Sequence, residues 1–473
     1  MKKHYSTTLL FILLGLGIAH SQSGGLDASF DPGIGANAAI NAVTIQDDGK
    51  IIIGGDFTNF NSQAKNRFIR LNADGSLDDT FVTGNGITST ISFFPTVRAM
   101  AIDSNGKIIV VGDFNRYNNV QRNNILRLND DGTLDTTIFN ASNLGSNTPI
   151  LALAIQSDGK IIVAGGFTSF NNTPVNRIVR LNTDGTIDSS FNIGSGVNNP
   201  IHTVSIQADD KIILGGDFTN FNGTLVNRLV RLNTDGTLDS SFNIGSGANN
   251  SIRSSKIQSD GKILLGGLFT TFNTADRKYL ARLNTDGTVD STFDIQLGAN
   301  NLVGSIAIQF NDKIVIGGNY SLFNSVTMNR IARLNNDGLI DTSFNSGTAA
   351  NNNVNAIAIQ EDGNIIIAGS FTTYNGTTRN RIARIFGDEP LNSSDFTKNP
   401  FFIYPNPSND KITLQANGNV IESIKIYDTT GKLIFHKSNP DNYTFDVANF
   451  DQGIYFFTIE NELGTFTQKF MKN

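Results

Sequence analysis

Hydrophobic and polar positions follow one pattern that recurs along most of the chain. In the unit from Asn41 to Phe81, the alternating stretch Ala42–Gln46 leads through a turn ending Gly49-Lys50 into the unbroken run Ile51-Ile52-Ile53-Gly54-Gly55. Arg67–Asn72 and Leu77–Phe81 complete it. Alternation predicts a strand with one buried face, and the continuous run predicts one buried on both faces. Four strands per unit are expected, the last two joined by Ala73-Asp74-Gly75, a three-residue hairpin loop with glycine at the left-handed position. That loop pairs Leu71 with Leu77 and Arg70 with Asp78.

The residue before the turn lysine recurs at Gly49, Gly106, Gly159, Asp210, Gly261, Asp312 and Gly363, at spacings of 57, 53, 51, 51, 51 and 51. A period near 50 with four short strands is that of a propeller blade, whereas solenoid repeats are shorter. Arginine stands 21 residues after each marker, from Arg70 to Arg384, and six units carry the matching aspartate, from Asp78 to Asp341. The seventh has none. Its missing segment stands at the other end of the chain, as Leu26-Asp27-Ala28-Ser29-Phe30. The expected fold class is therefore all-β: a seven-bladed β-propeller closed by an N-terminal strand, plus a small C-terminal β-sandwich. Closure pairs Asp27 with Arg384 and turns Leu26, Ala28 and Phe30 to one side.

The ends read differently. Lys2 and Lys3 precede the apolar run Leu9–Ile18, and the small residues Ala19 and Ser21 precede Gln22. This predicts a signal peptide over residues 1–21, cleaved between Ser21 and Gln22. The expected organisation continues as a propeller over 22–386, a polar linker over 387–399 and a C-terminal domain over 400–473. No other segment is long and apolar enough to span a bilayer as a helix.

Composition narrows the chemistry. With no cysteine among 473 residues, disulfides, thiolate metal sites and cysteine nucleophiles are excluded. A net charge of −6 without a basic stripe argues against nucleic acid as a partner. Asn72-x-Asp74-Gly75-x-x-Asp78 has the look of a calcium loop, but Arg70 occupies the place of a ligand, and turn geometry alone demands these residue types. Within the propeller the only histidine is His202 and the only glutamate is Glu361, and both read as structural. No catalytic residue, metal or cofactor is assigned.

A residue repeated in every blade most simply serves the blade, so candidate function lies where the repeat breaks. After a glycine common to all units, the next position varies. Asp56, Asp113, Asp217 and Asn319 there are candidates for a polar or cation-binding mouth, or are simply solvated strand ends. The longer first spacing places an insertion within Thr83–Thr96 that carries Phe93-Phe94-Pro95, and its exposed aromatics are candidate ligand contacts or a cap.

Asp-Gly-Lys-Ile…Gly-Gly-x-Phe, recurring with variations in all seven units, and Arg-Leu-Asn-x-Asp-Gly-x-Leu-Asp-x-x-Phe, recurring likewise in the first six, resemble the delta-60 repeat family of bacterial propellers from Leu26 to Phe386. The resemblance implies the fold and carries no catalytic residues. The tail, with Tyr404-Pro405-Asn406-Pro407, Gly431-Lys432, Gly453, Tyr455 and Lys469, resembles the type A sorting domain of the type IX secretion system in Bacteroidetes. That implies the secretion machinery as partner and a secreted or outer-surface location, the tail being either retained or removed and the protein released or linked to surface lipopolysaccharide. The function expected is a monomeric binding or adhesion module for a glycan or protein. The alternatives are a polymer-degrading enzyme using loop-face aspartates, and a purely structural surface protein.

Overall fold

The computed structural model describes residues 22–139, 145–388, 401–415, 421–440, 443–461 and 464–473. The expected signal peptide with Ser21, and the linker beyond Asp388, lie outside the described residues. The described residues fall into two compact units, one up to residue 388 and one from residue 401.

The first unit is a ring of seven three-stranded antiparallel sheets. In the first blade an inner strand, Ile40–Ile45, pairs with a middle strand, Ile51–Gly55, which pairs with an outer strand, Phe68–Leu71. The continuous apolar run has a direct cause. Ile51 and Ile53 pack with Ile366 and Ala368 of the seventh blade, while Ile52 packs with Val97, Ile108 and Val110 of the second. Each middle strand is thus covered on both faces, and each such isoleucine contributes about 1.5–3 kcal/mol on burial.

The recurrent glycine at the end of each middle strand is explained by a bulge in the inner strand. The register slips between Ile40 and Ala42, which brings the carbonyl of Ala39 to the space a Cβ on Gly55 would fill. Gly216 meets the carbonyl of Pro200 in the same way.

The expected fourth strand is shorter than its pattern implies. Leu77 bridges Leu71, and Asp78 N–H donates to the carbonyl of Arg70 at 3.0 Å, but pairing stops there. The Asp78 carboxylate accepts from Thr80 N–H at 3.0 Å and Thr80 Oγ1 at 2.6 Å, which curls the backbone out of the extended form. Asp27 does the same with Ser29, so Ala28 is exposed and does not share a face with the buried Phe30. A two-residue ribbon, Asn59–Phe60 against Gln63–Ala64, also intervenes between middle and outer strands.

Arginine joins the blades. Arg70 Nε donates to Asp78 at 2.7 Å within its blade, and its Nη1 donates to the carbonyl of Asp130 in the next blade's turn at 2.5 Å. Its guanidinium also lies 4.5 Å from the centre of the Phe81 ring. Burial alone would raise the Asp78 pKa, but the hydrogen bonds from Thr80, Arg70 and Lys50 outweigh it and hold the carboxyl far below its ordinary range.

The seventh blade closes the ring. Leu26 bridges Ile385, Asp27 lies 2.6 Å from Arg384 Nε, and Arg384 Nη1 donates to the carbonyl of Ala73 in the first blade at 2.7 Å. This blade has no third-to-fourth turn of its own for Arg333 to reach. Asp388 stands in for it, accepting from Arg333 Nη1 at 2.8 Å and from Lys313 Nζ at 2.9 Å.

The second unit holds a three-stranded sheet (Phe402–Tyr404, Lys411–Gln415, Thr444–Asp446) and a four-stranded sheet (Ser423–Asp428, Leu433–Ser438, Gly453–Asn461, Gly464–Lys472). Ile412, Leu414 and Phe445 of one pack with Ile424, Ile426, Phe457 and Phe470 of the other, a small sandwich.

Candidate functional site

Seven inner strands converge on the ring axis and line a channel of about 270 Å³. Its wall includes Val43, Met100, Leu153, Ile306 and Ile357 on the apolar side. The fourth and fifth blades break that pattern with Thr203, Ser205, Ser254, Ser255 and Lys256.

At the mouth stands the residue extruded by each inner-strand bulge, and this position varies: Asn41, Arg98, Leu151, His202, Arg253, Gly304 and Asn355. Beside it runs the variable residue that follows the middle-strand glycine. Asp56 Oδ1 accepts from Asn41 Nδ2 at 3.0 Å, and Asn41 Oδ1 accepts from Asn355 Nδ2 at 3.1 Å. Asp217 Oδ2 lies 2.7 Å from His202 Nε2, and Arg253 Nη1 lies 3.1 and 2.9 Å from the two ring nitrogens. With Nε2 donating to Asp217, only Nδ1 is left to accept from Arg253. Desolvation lowers the His202 pKa first, the Arg253 and Arg98 charges add to this, and the Asp217 contact opposes it without prevailing. His202 is therefore a neutral spacer between a carboxylate and a guanidinium.

The insertion adjoins this mouth. Ser92 Oγ donates to Asp113 Oδ2 at 3.1 Å, Thr90 N–H donates to Asn115 Oδ1 at 2.9 Å, and Arg67 Nε donates to the carbonyl of Pro95 at 2.6 Å. The backbone is held, yet Phe93 and Phe94 are 95% and 85% exposed, with Ile91 beside them at 76%. Asp113 is thus tied to the loop, Asp56 and Asp217 to neighbouring channel residues. Asn319 contributes its carbonyl to Arg330 Nη1 at 2.9 Å.

Two sets of residues were not singled out from sequence. Arg67, Arg177, Arg228, Arg330 and Arg381 have positive φ and brace loops of this face through backbone carbonyls. The recurring Asn-Arg ahead of the outer strand was their available signal. Arg98, Arg253 and Lys256 are the channel cations, and their signal is a charge at inner-strand positions where other blades carry small or neutral residues.

In the tail, Tyr404 is exposed, and Asn406 between Pro405 and Pro407 is bound to the last strand, donating to the carbonyl of Lys469 at 2.9 Å and accepting from Met471 N–H at 2.9 Å. Gly431 takes φ +82° in the turn before Lys432, and Tyr455, two residues after Gly453, donates its hydroxyl to the carbonyl of Asp451 at 2.8 Å.

Seven segments match the model of a domain of unknown function (DUF5122) beta-propeller, at residues 46–81, 104–137, 156–191, 207–242, 258–293, 309–344 and 360–388. The chain belongs to this propeller family. Residues 402–473 of this DUF5122 propeller match a secretion system C-terminal sorting domain. It is accordingly a secreted or cell-surface protein, handled by the type IX secretion machinery, and no helix among the described residues is long and apolar enough to cross a membrane.

No curated protein matches the sequence. Among solved structures the chain is similar to PorZ, a surface component of the type IX secretion system of Porphyromonas gingivalis, at 12% identity and TM-score 0.41, over 93% of this chain and 60% of that one. It is similar to the extracellular domain of the one-component system BT4673 from B. thetaiotaomicron at 11% identity and TM-score 0.45, over 96% and 58%. Virginiamycin B lyase from Staphylococcus aureus is similar at 12% identity and TM-score 0.45, over 74% and 95%. The chain thus spans about three fifths of the length of the first two.

Proposed function

We propose that this DUF5122 propeller is an extracellular binding or adhesion module that takes a glycan or protein on the face where the inner strands begin. The observation that carries the reading is the loop from Ser89 to Pro95. It is pinned through its backbone to Asn115 and Arg67 and through the Ser92 hydroxyl to Asp113, while Ile91, Phe93 and Phe94 face solvent. Covering one such phenylalanine contributes about 1.5–3 kcal/mol. Because the loop is already held, little ordering entropy opposes that gain.

The hydrolytic alternative draws less support. A glycosidase acid–base pair needs two carboxyl groups facing a common substrate. The channel wall carries no aspartate or glutamate among the described residues, and Asp56, Asp113 and Asp217 at its rim are each held by a neighbour.

A glycan-array screen of the secreted chain, with an activity assay on every hit, tests the reading. The expected result is capture without turnover, reduced at least tenfold by Phe93→Ser with Phe94→Ser. Turnover of a captured glycan, or capture indifferent to both substitutions, overturns it.

A further inference from the structure

The channel wall has the opposite charge to the protein. In a chain of net charge −6, its lining holds Arg98, Arg253 and Lys256, and no carboxylate among the described residues. Arg253 is partly neutralised, with Nη2 3.8 Å from Asp217 Oδ1. The side chains of Arg98 and Lys256 make no hydrogen bond or ion pair with the described residues. The arginine series that builds the ring is instead paired to aspartate in every blade, as in Arg70–Asp78 and Arg384–Asp27.

Lys256 stands out by its position. The equivalent residues of the other inner strands are Thr44, Ala101, Ala154, Ser205, Ala307 and Ala358, all small and uncharged. A strand rise of about 3.3 Å per residue sets it roughly 10 Å deeper than Arg253. The Lys256 side chain is exposed to channel water, and the strands around it lower its pKa by desolvation. A cation in a channel wall without a carboxylate offers an anion an unopposed counter-charge.

The surroundings of Lys256 specify the rest of the ligand. Thr203, Ser205 and Ser255 hydroxyls bond one another at 2.7–2.9 Å, whereas Ser254 and Ser305 line the channel and their hydroxyls have no partner among the described residues. Met100, Leu153 and Ile357 supply an apolar surface. About 270 Å³ is at the small end of ligand sites, which suits one ring-sized group and not a polymer strand.

We propose that the channel binds a hydroxylated carboxylate of the kind a sugar acid presents, its carboxylate drawn in past Arg98 and Arg253 and paired with Lys256, its hydroxyls on Ser254 and Ser305. This rests on the binding reading above and names a ligand class for the channel that opens on that face. The free acid and an acidic residue at a glycan end share this chemistry.

Calorimetric titration of the secreted chain with D-glucuronate, trigalacturonate, glucose and inorganic phosphate tests it. Saturable binding of glucuronate is expected, with glucose and phosphate at least tenfold weaker and Lys256→Gln reducing affinity at least tenfold while the melting temperature stays level or rises. Tighter binding of trigalacturonate identifies a glycan end as the source, and tighter glucuronate the free acid. Should Lys256→Gln not fold, acetylation of Lys256 in the wild-type chain should slow at least tenfold under saturating glucuronate. No saturable glucuronate binding, equal binding of glucose or phosphate, unchanged affinity in Lys256→Gln, or unprotected Lys256 overturns the proposal. Phe93→Ser with Phe94→Ser should leave glucuronate affinity unchanged, so the loop reading and the channel proposal fail separately.

Discussion

Replacing Asp27 with alanine tests how far one segment holds the ring shut. Asp27 is 4% exposed and accepts from Arg384 Nε at 2.6 Å, Ser29 N–H at 2.9 Å and Ser29 Oγ at 2.6 Å. Its loss leaves a largely buried guanidinium with only the carbonyl of Ala73 and the Ser29 hydroxyl. Breaking a buried pair from one side costs about 3–5 kcal/mol, and the two remaining acceptors place the effect near the lower end. With an unfolding entropy of roughly 2.1 cal/mol/K per residue over about 365 residues, 3 kcal/mol lowers the melting temperature by about 4 °C. Deleting residues 22–31 also removes Leu26 and the fully buried Phe30, about 1.5–3 kcal/mol each, and should lower it by about 10 °C. Differential scanning calorimetry of both variants reads these shifts. Adding Arg384→Met to Asp27→Ala should recover part of the loss by removing the unpaired charge. A melting curve unchanged by the deletion, or a double variant less stable than Asp27→Ala alone, refutes closure through this segment and pair.

Acid should weaken the ring through its aspartates. Asp135 and Asp341 have pKa values depressed to about 2, hydrogen bonds from Thr137 and Ser343 and the paired cations prevailing over burial. Because the folded values are depressed, this stabilisation is fully present above the unfolded value near pH 4 and is lost as pH falls from there toward 2, about 2–3 kcal/mol for each. Urea titrations from pH 5 to 2 should show that fall, and a flat profile would contradict it. Gly216→Ala should destabilise by more than 2 kcal/mol, because its Cβ meets a backbone carbonyl that cannot move aside; a calorimetric loss under 0.5 kcal/mol would rule out that contact. Phe93→Ser with Phe94→Ser should leave the melting temperature within 1 °C, since neither ring is buried, and a larger drop would make the loop a structural cap.

Blade number and closure were legible in the sequence because both are written as period. Seven arginines against six in-repeat aspartates leave one vacancy, and Leu26-Asp27-x-x-Phe30 is the only unclaimed copy of the missing segment. The fourth strand was overread because hydrophobic alternation is blind to a side chain that bonds its own backbone, as Asp78 does through Thr80. Two-residue ribbons such as Asn59–Phe60 are too short to carry any period. The channel was the least legible part. Arg98, His202, Arg253 and Lys256 sit in three different repeats, and alternation within a strand says which face a residue takes but not what six other strands bring opposite it. His202 alone drew notice, as a lone histidine, and its partner Asp217 was noted separately for a different reason.

Asp388 also sets a boundary on processing. Its carboxylate occupies the place of the turn the seventh blade lacks, and it holds Arg333, Lys313 and Asn311 together. A protease that parts the sorting tail from the propeller can cut anywhere beyond it and leave this clasp intact. A cut on its N-terminal side would strip the sixth blade's buried arginine of its outward partner, so the stable length of a trimmed propeller should end no earlier than this aspartate.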